Sequence, residues 1–101
     1  MELTEFEELL KNRINKINET LAVKGSEYSS KIDRLHNFKS AGRMKGETPQ
    51  EALWGMLMKH LVSVEDLIKD RLENNRHNVD EKIGDVINYL ILLEALFEDL
   101  R

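Results

Sequence analysis

The sequence predicts an all-α fold of four helices. Three observations lead there. Proline occurs once and glycine five times in 101 residues, too few breakers for a fold of many short strands. Apolar residues recur three and four positions apart through most of the chain. Thr48-Pro49-Gln50-Glu51 combines a threonine cap, a proline at the first helical position and a glutamate three residues after the cap, the clearest helix start in the chain.

The elements follow in order. Thr4-Glu5-Phe6-Glu7 reads as a capping box. Behind it Phe6, Leu9, Leu10, Ile14, Ile17 and Leu21 keep helical spacing, and Gly25 supplies a stop. The first helix is therefore expected over roughly 5–23. Ser26 to Lys31 reads as a turn. A shorter second helix carries Ile32, Leu35, Phe38 and Ala41 and ends between Gly42 and Gly46. The third runs from the Thr48 cap over roughly 49–74, with Leu53, Leu57, Leu61, Val64, Leu67, Ile68 and Leu72 on one side. Asn74-Asn75-Arg76-His77-Asn78 breaks the pattern. Asn78 then caps a fourth helix that reaches about residue 99.

The third and fourth helices form a long antiparallel hairpin. Leu57, Leu61, Val64, Val86, Ile87 and Leu90 are its expected core. The fourth helix adds Ile91, Leu92 and Ala95 on a second side, and a helix apolar nearly all round is buried on two fronts. A homodimer or larger assembly covering Leu92 and Ala95 is the expected second front. The length fits a single domain over 1–101.

Composition excludes several function classes. The net charge is −4, so there is no basic surplus for counterion-release binding to duplex nucleic acid. Without cysteine there are no disulfides and no thiolate metal sites. No segment reaches the roughly 18 consecutive apolar residues of a membrane span. The acidic start Met1-Glu2-Leu3-Thr4-Glu5 lacks the pattern of a signal peptide. A cytoplasmic protein is the expectation.

Four polar clusters stand out, because polar groups in or near a core cost free energy unless partnered. On the fourth helix Glu81, Asp85 and Asn88 share one stripe, continued by Leu92. They are either a solvated face or two carboxylates and a neutral oxygen for a hard divalent cation. On the third helix His60 falls on the side of Leu53, Leu57, Val64 and Leu67, and Lys59 flanks it. On the second, Asp33, His36 and Asn37 share a face beside Arg34. Asp33, His36, His60 and Asp85 together form either a divalent-metal set or an Asp–His network that fixes helix packing. Lys24, Glu27 and Tyr28 adjoin Gly25, where Lys24 with Arg34 can hold a phosphate and Tyr28 can stack on a base.

These same runs, Lys24-Gly25-Ser26-Glu27-Tyr28, Asp33 to Phe38, Thr48 to His60 and Glu81 to Leu90, resemble a family of small proteins from phages and prophages of Gram-positive bacteria. The likeness covers roughly residues 20–95. To a lesser degree the chain resembles nucleotide-modification-associated and MazG-like proteins. The latter are all-α, usually dimeric, Mg²⁺-dependent nucleoside triphosphate pyrophosphohydrolases. The chain departs from their pattern of Glu-x-x-Glu on one helix and Glu-x-x-Asp on the next. Glu81 and Asp85 are four apart, and the third helix offers Lys59, His60, Glu65 and Asp66 in place of the first motif.

The resemblance implies a MazG-like bundle in a bacterial host's cytoplasm that binds a nucleotide and, in its enzymatic form, cleaves it with Mg²⁺ or Mn²⁺. In that reading Asp33, Glu81 and Asp85 serve the metal. His36 and His60 serve catalysis, orienting water or acting as general base. Lys24, Glu27, Tyr28, Arg34, Asn37, Lys59 and Asn88 hold the substrate. Two rivals stand beside it: a non-enzymatic protein that sequesters a nucleotide, for instance a signalling nucleotide, and an adaptor with no small ligand.

Overall fold

The computed structural model describes residues 1–24 and 33–99, and over these the chain is helical with no strand. The helices are α1 (Leu3–Asn18), α2 (His36–Lys45), α3 (Pro49–Ile68) and α4 (Arg76–Glu98). Among the described residues, no helix is long and apolar enough to cross a membrane. The side chain of Lys24, together with Gly25, Glu27, Tyr28 and Ile32, lies outside the described residues.

α1 begins two residues before the expected start. The Phe6 N–H donates to the Glu2 carbonyl at 3.1 Å, so Thr4 is already inside the first turn, and no side chain caps the end. At the other end the helix continues to Lys24, as a π-helical turn over Glu19–Lys24. Such a turn has a wider hydrogen-bond ladder, and turns of this kind are frequent at functional sites.

α2 follows a turn in which Asp33 Oδ1 accepts from the Leu35 N–H at 3.0 Å. It closes in a Schellman arrangement: Glu47 N–H donates to the Gly42 carbonyl at 2.8 Å and Gly46 N–H to Arg43 at 3.3 Å, with Gly46 at φ 70°. The turn folds so tightly that a Cβ on Gly42 would lie 2.8 Å from the Glu47 carbonyl oxygen. α3 opens as expected. Thr48 Oγ1 accepts from Glu51 N–H at 3.1 Å while the Glu51 carboxylate accepts from Thr48 N–H at 2.9 Å. These bonds hold the Glu51 carboxyl below its ordinary pKa.

Two boundaries on the hairpin differ from expectation. α3 ends at Ile68, about six residues early. Arg71 N–H donates to the Asp66 carbonyl at 2.9 Å and Asp70 N–H to Leu67 at 3.4 Å, with Asp70 in the left-handed region at φ 57°. This is the same Schellman stop, built on one of the few non-glycine residues that tolerate positive φ. α4 begins three residues early, because Asn75 and not Asn78 is the cap. Its side chain accepts from the Asn78 N–H at 2.8 Å, and Asn78 Nδ2 donates to the Glu73 carbonyl.

α3 and α4 pack antiparallel. Gln50, at the start of α3, donates to the Leu96 carbonyl near the end of α4, while His60 meets Asp85 and Tyr89 further back. The core lies at the α2 end of this hairpin. Leu35, Phe38, Leu53 and Leu96 form its buried cluster, with Met56, Tyr89, Leu92, Leu93 and Ala95 packed around it. Leu57 is buried as expected. Val64, Val86 and Ile87 are half-buried, and Leu61 and Leu90 are open at 37% and 46%. Leu92 and Ala95 therefore meet the chain's own core and are half-buried by it. They pack with Leu35, which precedes α2, and with Phe38 in it.

α1 is attached differently. It buries no residue fully and packs on α4. Its open side carries Leu3, Phe6, Leu10 and Ile14.

Candidate functional site

Ion pairs, beside the half-buried Ile17, attach α1 to α4. Arg13 Nη1 donates to the Asp80 backbone carbonyl at 3.2 Å, and Arg13 Nη2 lies 3.7 Å from the Asp80 carboxylate. Lys16 Nζ reaches the same carboxylate at 2.6 Å, and Arg76 approaches it at 3.6 Å from within α4. Arg13 can lie this close because α4 carries Gly84 there: an added Cβ would sit 2.6 Å from Nη1. The helix interior tolerates this glycine at a cost of about 1 kcal/mol relative to alanine.

Beside these contacts α1 and α4 stay apart and leave a cavity of about 350 Å³. Arg13, Lys16 and the π-turn residues Glu19 and Thr20 form one wall. Asp80, Glu81, Asp85 and Asn88 form the other, with His77 at the end. Glu81, Asp85 and Asn88 thus share one wall, as their spacing predicts.

The wall is strongly polarised. Glu81 accepts from Lys82 at 2.9 Å and faces His77 Nε2 at 3.2 Å, and the Lys82 hydrogen bond holds its carboxyl below the ordinary range. Asp85 Oδ2 lies 3.4 Å from His60 Nδ1, so it faces the cavity and also reaches α3. The His60 ring stacks at a tilt on Tyr89, 4.8 Å between centroids, and Tyr89 meets Phe38 edge-on. Burial, then the Asp85 charge, pushes the Tyr89 phenol up. Among the described residues the buried Asn88 Oδ1 has no hydrogen-bond partner. A buried acceptor of this kind costs roughly 1–3 kcal/mol unless something bonds to it.

The remaining predicted residues lie elsewhere. Asp33 is tied to Lys39, which also binds Asp99, each at 2.7 Å. Those two hydrogen bonds, Asp33 first, raise the Lys39 pKa. His36 is exposed, with Nε2 3.3 Å from Ser40 Oγ. Arg34 donates to the Leu21 carbonyl at 3.5 Å, and Asn37 and Lys59 are exposed. Of the expected set Asp33, His36, His60 and Asp85, the last two bring their side chains together, while His36 meets Asp33 through its backbone N–H, which donates to the Asp33 carbonyl at 3.2 Å. Among the described residues no three His, Asp or Glu side chains form a group that could hold a metal ion by themselves. Two or three oxygen donors still suit Mg²⁺, which keeps much of its water and takes one or two carboxylates.

Arg13, Lys16, His77, Asp80 and Gly84 escape a reading by single helices. A signal is present in part: Leu9, Arg13 and Ile17 form one i, i+4 row, with a cation where the row should be apolar. Comparison with protein-family models, with curated proteins and with solved structures yields no match.

Asp80 makes the attachment of α1 dependent on pH. The Lys16 hydrogen bond lowers its pKa; burial opposes it next in size, and the charges of Arg76, Lys16 and Arg13 add to the lowering. A depressed carboxylate contributes its stability above the unfolded value of about 3.9 and loses it as pH falls through the lower folded value. Below roughly pH 4, α1 should therefore loosen before the α2–α4 core. Amide exchange that rises first over residues 3–18 is the expected result; an Asp80→Asn variant should show the same loosening at neutral pH.

Proposed function

We propose that the cavity between α1 and α4 binds a nucleotide. The observation that carries this reading is the composition of its two walls. Arg13 and Lys16 supply cations from α1, facing Glu81, Asp85 and Asn88 on α4, with the buried Asn88 oxygen awaiting a donor or a cation. Mg²⁺ or Mn²⁺, where it takes part, would be held by Glu81 and Asp85 with Asn88 as a neutral oxygen donor, and would neutralise phosphate charge. Arg13 and Lys16 replace Arg34 and Lys59 as the phosphate-facing cations. His60 orients Asp85 from behind. Phage origin, a MazG-like bundle, self-association and pyrophosphohydrolysis belong to the same proposal.

Binding without hydrolysis is the second reading. It is favoured by the pairing already present: both Glu81 oxygens are engaged, by Lys82 and His77, and three cations surround Asp80.

Thermal unfolding with a panel of nucleoside mono-, di- and triphosphates, each with and without Mg²⁺ or Mn²⁺, tests the proposal. A ligand at 100 times its Kd should add about 2.7 kcal/mol of stability. No shift with any of them removes the nucleotide reading. Where a shift occurs, release of pyrophosphate separates the enzyme from the sequestering protein.

A further inference from the structure

Beside the larger cavity, and sharing Arg13, Lys16 and Asp80 with it, α1 and α4 leave a second hollow of about 130 Å³. Leu9 and Asn12 lie on its α1 wall, and Arg76 joins Asp80 on the α4 wall. Arg76 borders this hollow and not the larger cavity, whereas Glu19, Glu81 and Asp85 border the larger cavity and not this hollow. The charge here is one-sided. Three cations face a single carboxylate, a surplus of two positive charges in a chain whose net charge is −4. The three close on both oxygens of that carboxylate. Arg13 approaches Oδ1 at 3.7 Å, and Lys16 and Arg76 approach Oδ2 at 2.6 and 3.6 Å.

We infer that this hollow is an anion site for a phosphoryl group, and that the Asp80 carboxylate is the chain's own occupant of it. One carboxylate neutralises one of the three like charges gathered there. A phosphoryl group brings nearly two negative charges and three acceptor oxygens, enough for one to each cation. Guanidinium groups such as Arg13 and Arg76 also pair with it through two parallel bonds. It therefore competes with Asp80 for the same three partners. The Asp80 side chain is about a quarter exposed, so it has water to turn to when displaced. Its backbone carbonyl, which accepts from Arg13 Nη1 at 3.2 Å, still joins α1 to α4 when the carboxylate leaves. Asp80 is thus both the clasp of the seam and an internal competitor that keeps the site closed to weak anions. The inference rests on the nucleotide reading only for what carries the phosphoryl group: this hollow takes the phosphate end and the larger cavity the rest.

Titration of the full chain with inorganic phosphate at neutral pH and constant ionic strength, followed through its backbone amide resonances, tests the site without nucleotide or metal. Shifts over residues 9–16 and 76–80 are expected. Asp80→Asn removes the competing charge and should tighten phosphate about ten- to a hundredfold, the worth of one charged hydrogen bond. Phosphate should also restore to that variant the amide protection it loses over residues 3–18, and chloride should not. Arg76→Gln, at a side chain 69% exposed, should weaken phosphate by a similar factor. Equal affinity in Asp80→Asn and the unaltered chain overturns the proposal, and so does unchanged affinity in Arg76→Gln. Should Asp80→Asn fail to fold, the Arg76→Gln comparison decides alone. Phosphate binding without a response to any nucleoside phosphate keeps this site and removes the nucleotide reading. Nucleotide stabilisation that Arg76→Gln leaves unchanged does the reverse.

Discussion

Leu53→Ala is expected to lower the free energy of unfolding by about 2–5 kcal/mol. Leu53 is fully buried and central to the cluster of Leu35, Phe38 and Leu96, so it joins α2, α3 and α4 at one point. Truncation removes apolar contact and leaves a cavity that three helices border. Small domains have only about 5–15 kcal/mol in total. The denaturant midpoint should therefore fall steeply with the m-value unchanged. A loss well under 1 kcal/mol would place the centre of the core elsewhere. Leu61→Ala offers the contrast. Its side chain is 37% exposed, so its cost should be small.

Asp85→Asn is expected to weaken nucleotide binding by about ten- to a hundredfold, the worth of one hydrogen bond to a charged group. The carboxylate is over a third exposed and its contact to His60 is long, so the fold should lose little. Calorimetric titration of the variant with the best ligand, beside its thermal unfolding, reads both quantities. Unchanged affinity with a lowered melting temperature would make Asp85 a structural link between α4 and α3, and the cavity would lose its main acidic group. Glu81→Gln should weaken binding as well, and chiefly in the presence of the cation.

Much of the fold is legible because its signals are local. The Thr48–Glu51 box, the Gly46 stop and the helical recurrence of apolar residues each act within one or two turns, and the structure follows them. The α3 stop is different. Asp70 tolerates positive φ but does not demand it as a glycine would, and the aliphatic pattern runs on through Leu72, so the break is visible only in the backbone. The two open leucines mislead for a related reason. Periodicity reports that Leu61 and Leu90 are on an apolar face but not which of two faces the chain itself covers.

The site divides along the same line. Glu81, Asp85 and Asn88 belong to one helix, and their common wall follows from spacing. Arg13 and Lys16 meet Asp80 across more than sixty residues of sequence, and no local rule links them. Grouping Asp33 with His60 requires the polar sides of α2 and α3 to converge. Instead the Lys39 ammonium gathers Asp33 with Asp99, joining the start of α2 to the end of α4.

The thin seam between α1 and α4 gives the molecule two tiers of cohesion. The hairpin and α2 share an apolar interior and must come apart together. α1 shares a few charges and half-buried aliphatics, and it can lift away at a fraction of that cost. Local opening of this kind is a separate equilibrium from global unfolding. The cavity walls would then part like a door without disturbing the interior. Salt, which weakens exposed ion pairs, would set how often that door stands ajar.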